Sequence, residues 1–297
     1  MTKQDRESPS PQKGFDRGGR GIVLVATGET YRAEARLLIT SLLEHSPQIP
    51  ITVFVDQLFG VSRPGQVTEI ILDSATFSFK DKAIALQRRP YSKTLYIDVD
   101  CYAASDVEEC FSLLDGCEVA AVHDTWRIAH QNDPPQVFPE LDAGVILLGG
   151  APAVDIFLHR WIREYERTIK KWRGPERFSD QPSFCSQLWE MQKAGDLRFL
   201  ALPVEWNIHT WHPVSLAQNA SPRILHGRKM PLARIAESLR ESSEARVWLP
   251  GPATPGESAL SRVVSVQPLE VGILRKCWRR FKNLARRFHF VRSSKPE

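Results

Sequence analysis

Two carboxylates, Asp98 and Asp100, stand two residues apart at the end of the apolar run Thr94–Asp100, TLYIDVD. If that run is a β-strand, its period of two points both side chains to one side while the chain stays extended. Like charges so close need a counter-ion. A hard divalent cation, Mn2+ or Mg2+, takes carboxylate oxygens, keeps part of its water shell and accepts the oxygens of a diphosphate. Such an ion neutralises charge on a departing nucleoside diphosphate. A solvated strand end is the plain alternative, because Asp-x-Asp arises often by chance.

The surrounding pattern supplies elements to hold the pair. Strands are predicted at 22–27, 51–55, 69–72, 94–100, 118–123 and 143–148, and helices at 31–45, 81–88, 105–114, 152–172 and 180–192. Ser105 with Glu108 three residues on reads as a capping box, with Gly116 as the stop. Strands alternating with helices imply an α/β fold: a mostly parallel, twisted sheet covered by helices. In such sheets ligands lie beyond the carboxyl ends of the strands. Gly28, Asp56, Asp98, Asp100 and His123 all fall there.

Other chemistries are excluded by inspection. The Gly18-Gly19-Arg20-Gly21 cluster precedes the first strand and so cannot be a dinucleotide turn, and there is no P-loop, nucleophile elbow or HExxH. The five cysteines form no CxxC pair and read as reduced structural thiols. His209 and His212 lie three apart without a third ligand nearby and read as loop packing, while His123 and Asp124 are candidates for an acceptor pocket.

Several stretches in order resemble glycosyltransferase family 8 and related GT-A (Rossmann-like) nucleotide-diphospho-sugar transferases. Val25-Ala26-Thr27-Gly28-Glu29-Thr30-Tyr31 resembles the nucleoside-binding turn, with Gly28 where the family commonly has an acidic or amide residue. Lys82 stands near the family's basic donor-binding residue; Asp142-Ala143-Gly144-Val145 is similar to its Asn-Ala-Gly-Val strand, with Asp142 in place of Asn; Asp180-Gln181 resembles its Asp-Gln pair; and His226-Gly227-Arg228-Lys229-Met230-Pro231 is similar to a contracted closing segment. The resemblance implies donor contacts from Ala26, Thr27, Tyr31, Lys82, Asp98, Asp142, Gly144, Gln181, Gly227 and Lys229. It implies metal ligation by Asp98, Asp100 and His226, with Asp142 and Asp180 at the reacting sugar. Plain readings remain for Lys82 as a solvated helix face, Asp142 as a strand start, Asp180 as a helix N-cap and His226 as structural. The expected activity is transfer of a sugar from a nucleotide-diphosphate donor, a UDP-sugar with retention, to a glycan or lipid-linked acceptor. A catalytically silent nucleotide- or partner-binding protein is the alternative, and a haloacid dehalogenase-like phosphatase a lesser one, since those too begin Asp-x-Asp after a hydrophobic strand.

The organisation expected is a disordered tail at 1–20, the GT-A domain at 21–245, a Pro/Gly linker at 246–268 and a basic tail at 269–297. Residues 269–297 hold nine Lys or Arg and two Glu, net +7, so the remainder of the +4 chain carries −3. That asymmetry argues against a nucleic-acid-binding body. In the tail Leu274, Trp278, Phe281, Ala285 and Phe288 recur at spacings of three and four among arginines and lysines, the pattern of an amphipathic helix lying on an anionic membrane surface through residues 269–292. With no signal-peptide apolar segment and no run long enough to span a bilayer, the expected location is cytoplasmic and peripherally membrane-associated.

Overall fold

The computed structural model describes residues 18–124, 134–172, 179–250 and 262–265. In β1 (Arg20–Ala26), Ile22, Leu24 and Ala26 enter one buried cluster and Val23 the other. In β2 (Ile51–Val55), Ile51, Val53 and Val55 face the first cluster and Phe54 the second. In β4 (Lys93–Ile97), Leu95 and Ile97 oppose Tyr96 in the same way. A strand apolar on both faces must be covered on both, which is why these runs read as continuous hydrophobic stretches.

The main sheet has seven strands: β3 (Val67–Ile71), β2, β1, β4, β7 (Leu141–Leu148), β6 (Val119–His123) and β8 (Phe199–Leu202), in that spatial order. The first four are parallel, β7 runs antiparallel to both β4 and β6, and β6 is parallel to β8. The expected mostly parallel sheet is therefore present with one reversed strand. That reversal carries the start of β7 to the edge where β4 and β6 end. A register shift between Ala121 and His123 faces it. Along β7, Leu141 and Ala143 share a cluster with Ile146 and Leu148, so the alternation slips at Gly144. Irregularities of this kind re-aim side chains beside functional sites.

Helices cover the sheet by the same apolar periodicity. α1 (Glu29–His45) buries Ala35, Leu38, Ile39 and Leu42, and α3 (Pro152–Trp172) buries Val154, Phe157, Leu158, Trp161 and Tyr165. Each large apolar side chain so buried contributes about 1.5–3 kcal/mol. α4 (Gln181–Ala194) packs on α3 through Phe184, whose ring lies 5.5 Å from Phe157 and 5.0 Å from Trp161. α2 (Lys80–Gln87) presents Asp81 and Lys82 inward from its first turn.

Two small sheets complete the body: β5 (Cys101–Ala103), β11 (Ile224–His226) and β9 (Ile208–His209) in the order β5-β11-β9, and β10 (Val214–Leu216), β12 (Arg246–Leu249) and β13 (Arg262–Ser265) in chain order. α5 (Leu232–Arg240) adds Ile235, Ala236 and Leu239 to their core.

Local expectations are corrected in three places. β4 stops at Ile97, so Asp98 and Asp100 stand on the turn into β5. The segment expected as a capped helix at 105–114 is a 3-10 helix, Glu108–Asp115, and Ser105 donates its hydroxyl to Pro222 O instead of capping. The first residues of the expected linker form β12, because Arg246 and Trp248 are buried and Trp248 donates to Thr210 O. Among the described residues the four cysteines 101, 110, 117 and 185 are free and buried. No described helix is long and apolar enough to cross a membrane. The expected basic tail helix at 269–297 and the N-terminal tail at 1–17 lie outside the described residues.

Candidate active site

The turn after β1 is built around Gly28, whose φ of 104° is a conformation that L side chains rarely adopt. Its amide donates to Asp56 Oδ1 at 2.9 Å, and Arg32 holds the same carboxylate at 2.6 Å from Oδ2. Thr27 is buried and donates its hydroxyl to Asp81 Oδ2 at 2.8 Å. Asp81 also accepts from Thr76 N and Oγ1, both at 2.7 Å, and from Phe77 N at 2.9 Å. One buried carboxylate thereby ties the β1 turn to the loop before α2. Tyr31 is half-exposed above this turn, with the Arg228 guanidinium 4.9 Å from its ring centre. Ala26 is buried as the last residue of β1.

Lys82 is not a solvated helix face. It is buried, with Nζ 3.2 Å from Asp98 Oδ1, 3.0 Å from Asp180 Oδ2 and 2.9 Å from Ala143 O. Burial alone would depress its pKa, but Asp180 and Asp98 outweigh burial and hold the ammonium above its usual range. Tyr96 donates a short hydrogen bond to Asp98. Burial pushes the Asp98 carboxyl up, Lys82 opposing and Asp100 adding. Asp180 occupies the N-cap position of α4 but makes no capping hydrogen bond, and burial raises it to about 6 against the pull of Lys82. Trp161 Nε1 donates to the Asp180 carbonyl at 3.1 Å, so α3 fixes the point from which this side chain reaches Lys82.

Asp100 lies on the other side of the turn. His226 Nε2 is 3.2 Å from its Oδ1, and Arg228 is 3.5 Å from its Oδ2. Burial works to raise Asp100, but the hydrogen bond and charge of His226, with Arg228, bring it down to about 2. His226 is raised well above the usual imidazole range, burial being outweighed by the Cys101 sulfur and the Asp100 carboxylate. The Cys101 thiol is itself pushed by burial up to about 12.

Asp142 is buried and accepts from Gly144 N at 2.6 Å and Asn207 Nδ2 at 2.7 Å, with His209 Nε2 3.2 Å from its other oxygen. Burial is overcome by His209, His226 and the Gly144 amide, which hold this carboxylate below the usual range. Gln181 Nε2 donates to Asp124 at 3.2 Å and Glu140 at 3.1 Å, and His212 stands 3.8 Å from Asp124. Two sets of ligand atoms, each within 4.8 Å of one another, share His226: Asp100 with Cys101, and Asp142 with His209. Asp98 belongs to neither. The structure thus brings Asp100 and His226 together as the sequence suggests, while Asp98 is paired to Lys82.

Gly227 is buried and its amide donates to Asp100 O at 3.0 Å, whereas Lys229 is exposed with φ 58°. Arg228, passed over in the sequence, is the cation that reaches Asp100, Glu34 and Tyr31. Asn207 and His209 were missed as well. Only the short HTWH spacing hinted at His209, and its partners come from β7 and β11.

A sheet of this order with one reversed strand, carrying acidic groups where β4 and β6 end and β7 begins, has the GT-A glycosyltransferase fold. Solved structures of similar fold include the galactosyltransferase LgtC in complex with donor and acceptor sugar analogs, with a TM-score of 0.52 and 13% identity over 74% of this chain and 94% of that one. The glycosyltransferase GlyE of Streptococcus pneumoniae TIGR4 matches with a TM-score of 0.51 and 16% identity over 76% of this chain and 61% of that one. No protein-family model matches the sequence, and a search of curated proteins finds no match.

Proposed function

We propose that this chain is a metal-dependent glycosyltransferase that moves a sugar from a nucleotide-diphosphate sugar, a UDP-sugar with retention, to a glycan or lipid-linked acceptor. The observation that carries the proposal is the pairing of Asp100 and His226, 3.2 Å apart and drawn from separate elements, beside half-buried Asp98 and the buried Lys82, Asp180 and Asp142.

The residues fit a divalent cation. Asp100, held at about 2, is ionised at neutral pH and faces an imidazole nitrogen. Carboxylate with imidazole is a donor set suited to Mn2+, and Mg2+ is the other candidate. Space is kept by Gly144, where a Cβ would lie 2.7 Å from both Asp142 Oδ1 and His226 Cε1. Asp100 and His226 would hold the ion, with Asp98 two residues before Asp100 on the same turn. When bound, it supplies charge neutralisation for a diphosphate leaving group. Arg228 and Lys229, at the mouth, would meet the diphosphate, and Ala26, Thr27 and Tyr31 the nucleoside. Lys82 orients Asp98 and Asp180 and offsets their charge. Asp142, Gly144 and Gln181 line the side on which sugar hydroxyls can be bonded, with Asp142 an acceptor only. Asp124, which accepts from Gln181, would lie on the acceptor side. Residues 269–292 would attach the protein to anionic membrane.

The test is a panel of nucleotide sugars with Mn2+, reading nucleoside diphosphate release. The native chain should turn over one donor, and Asp100→Ala and His226→Ala should each lose at least about 100-fold. Turnover unchanged in both variants would remove the mechanism. Nucleotide binding without product release by the native chain would support the silent protein instead.

A further inference from the structure

Asn207 directly follows a short 3-10 turn, Val204–Trp206, and is 1% exposed, one residue before β9. Its amide lies between Asp142 and His226: Nδ2 is 2.7 Å from Asp142 Oδ1, and Oδ1 is 3.1 Å from His226 Nδ1. The carboxylate settles which way the amide points, because an ionised Asp accepts only and so must be met by the NH2 end. The amide oxygen therefore faces the ring. That oxygen also accepts only, so Nδ1 of His226 must carry the hydrogen between them. The ring held above its usual range carries a hydrogen on Nε2 as well, toward Asp100 Oδ1 3.2 Å away; in the neutral ring that a metal ligand must be, the Nδ1 hydrogen kept by Asn207 leaves Nε2 bare and facing that same region. The opposite tautomer would set two lone pairs against each other at Asn207 and use the Nε2 proton on Asp100.

We propose that Asn207 is a positioning residue that fixes the tautomer and tilt of His226, so that Nε2 is the atom offered to a divalent ion. The same amide ties the His226 ring to Asp142, coupling the metal side of the site to the sugar side. This rests on the metal-dependent reading above, and it goes beyond it by assigning the residue on which the ligand nitrogen depends. Outer partners of ligating histidines act in this way, and their loss typically costs about 10–100-fold in metal affinity.

The experiment is a Mn2+ titration of the full chain followed by electron paramagnetic resonance, with folding checked by circular dichroism. Asn207→Leu removes the acceptor at similar volume and should weaken Mn2+ binding by about 10–100-fold. Asn207→Thr keeps both roles in one hydroxyl, which can donate to Asp142 Oδ1 and accept from Nδ1, and should hold Mn2+ affinity within about tenfold of native. A role in packing alone would be met better by Leu than by the smaller Thr. Native-like Mn2+ affinity in Asn207→Leu overturns the proposal, and so does a folded Asn207→Thr that binds as poorly as Asn207→Leu. If Asn207→Leu does not fold, Asn207→Thr decides by itself: retained affinity supports the assignment and lost affinity refutes it. A native chain that binds no Mn2+ sinks the metal-dependent reading and this assignment with it. Tight native binding that is indifferent to Asn207 sinks only the assignment.

Discussion

Replacing Lys82 by Met keeps the stem of the side chain and removes the ammonium between Asp98 and Asp180. At 3.2 and 3.0 Å, Coulomb's law with an effective dielectric of about 20 gives about 5 kcal/mol of gross attraction for each contact. Desolvation of the three groups and repulsion between the two carboxylates consume most of this. The net loss expected for Lys82→Met is about 3–5 kcal/mol, the usual result of leaving buried charge unpaired. Urea denaturation at 25 °C measures it, and Lys82→Met with Asp98→Asn and Asp180→Asn should regain most of the loss. The pH dependence supplies the signature. Asp180 is raised to about 6 in the folded chain even with Lys82 present, so its charged form costs stability above that pH and protonation relieves the cost as pH falls toward the unfolded value. Without Lys82 the relief is larger and starts at higher pH. The gap between native and variant should therefore be widest near pH 8 and narrow clearly by pH 5. A gap under about 1 kcal/mol, or one equal at the two pH values, would refute the idea that Lys82 is held by charge.

Gly144→Ala places a Cβ 2.7 Å from His226 Cε1 and Asp142 Oδ1, and should lower Mn2+-dependent donor turnover by at least about tenfold in a chain that still folds. Glu69 accepts from Phe59 N, Val61 N, Ser62 N and Ser62 Oγ, and although burial raises its pKa these donors bring it below the ordinary value. Glu69→Gln should cost about 1–2 kcal/mol at pH 7 in urea unfolding; since a depressed carboxylate stabilises above its unfolded pKa, the difference should fade as pH drops through the folded pKa. Removing residues 269–297 should abolish sedimentation with phosphatidylserine liposomes while donor turnover persists, and equal sedimentation would end the membrane assignment.

Legibility followed sequence distance. β1, β2, α1 and α3 declare themselves, because each buries a face whose period is complete within its own residues. The Asp98–Asp100 pair was visible for the same reason, although the strand ends at Ile97 and the two carboxylates go to different partners. Asp142 and Asp180 could be singled out only through the family resemblance. The sheet β5-β11-β9 left no trace, since strands of two or three residues carry no period, and its rung places Cys101 and His209 on either side of His226. His209 was read as loop packing for want of a third ligand, and the fold brings Asp142 and His226 to it from other elements. The capping box failed because Ser105 finds a better partner in Pro222 O, a contact that local pattern cannot foresee.

The two departures from the resembled pattern, Gly28 and Asp142, are what a site that has lost its chemistry would show, but each has its compensation close by. Gly28 offers no side chain, yet its amide is bonded to Asp56 at the end of β2, so a carboxylate still stands at the turn proposed to meet the nucleoside, supplied by the neighbouring strand. Asp142 brings a negative charge where an amide would bring none, and His209 answers it at 3.2 Å while Gly144 N and Asn207 Nδ2 bond the other oxygen. A buried carboxylate with no such partners would have protonated or unsettled the fold. One with all of them in place keeps its position and its capacity to accept hydrogen bonds from a sugar. Both positions are thus paired as the working transferase proposed above requires, and donor turnover by the native chain separates it from a silent relative.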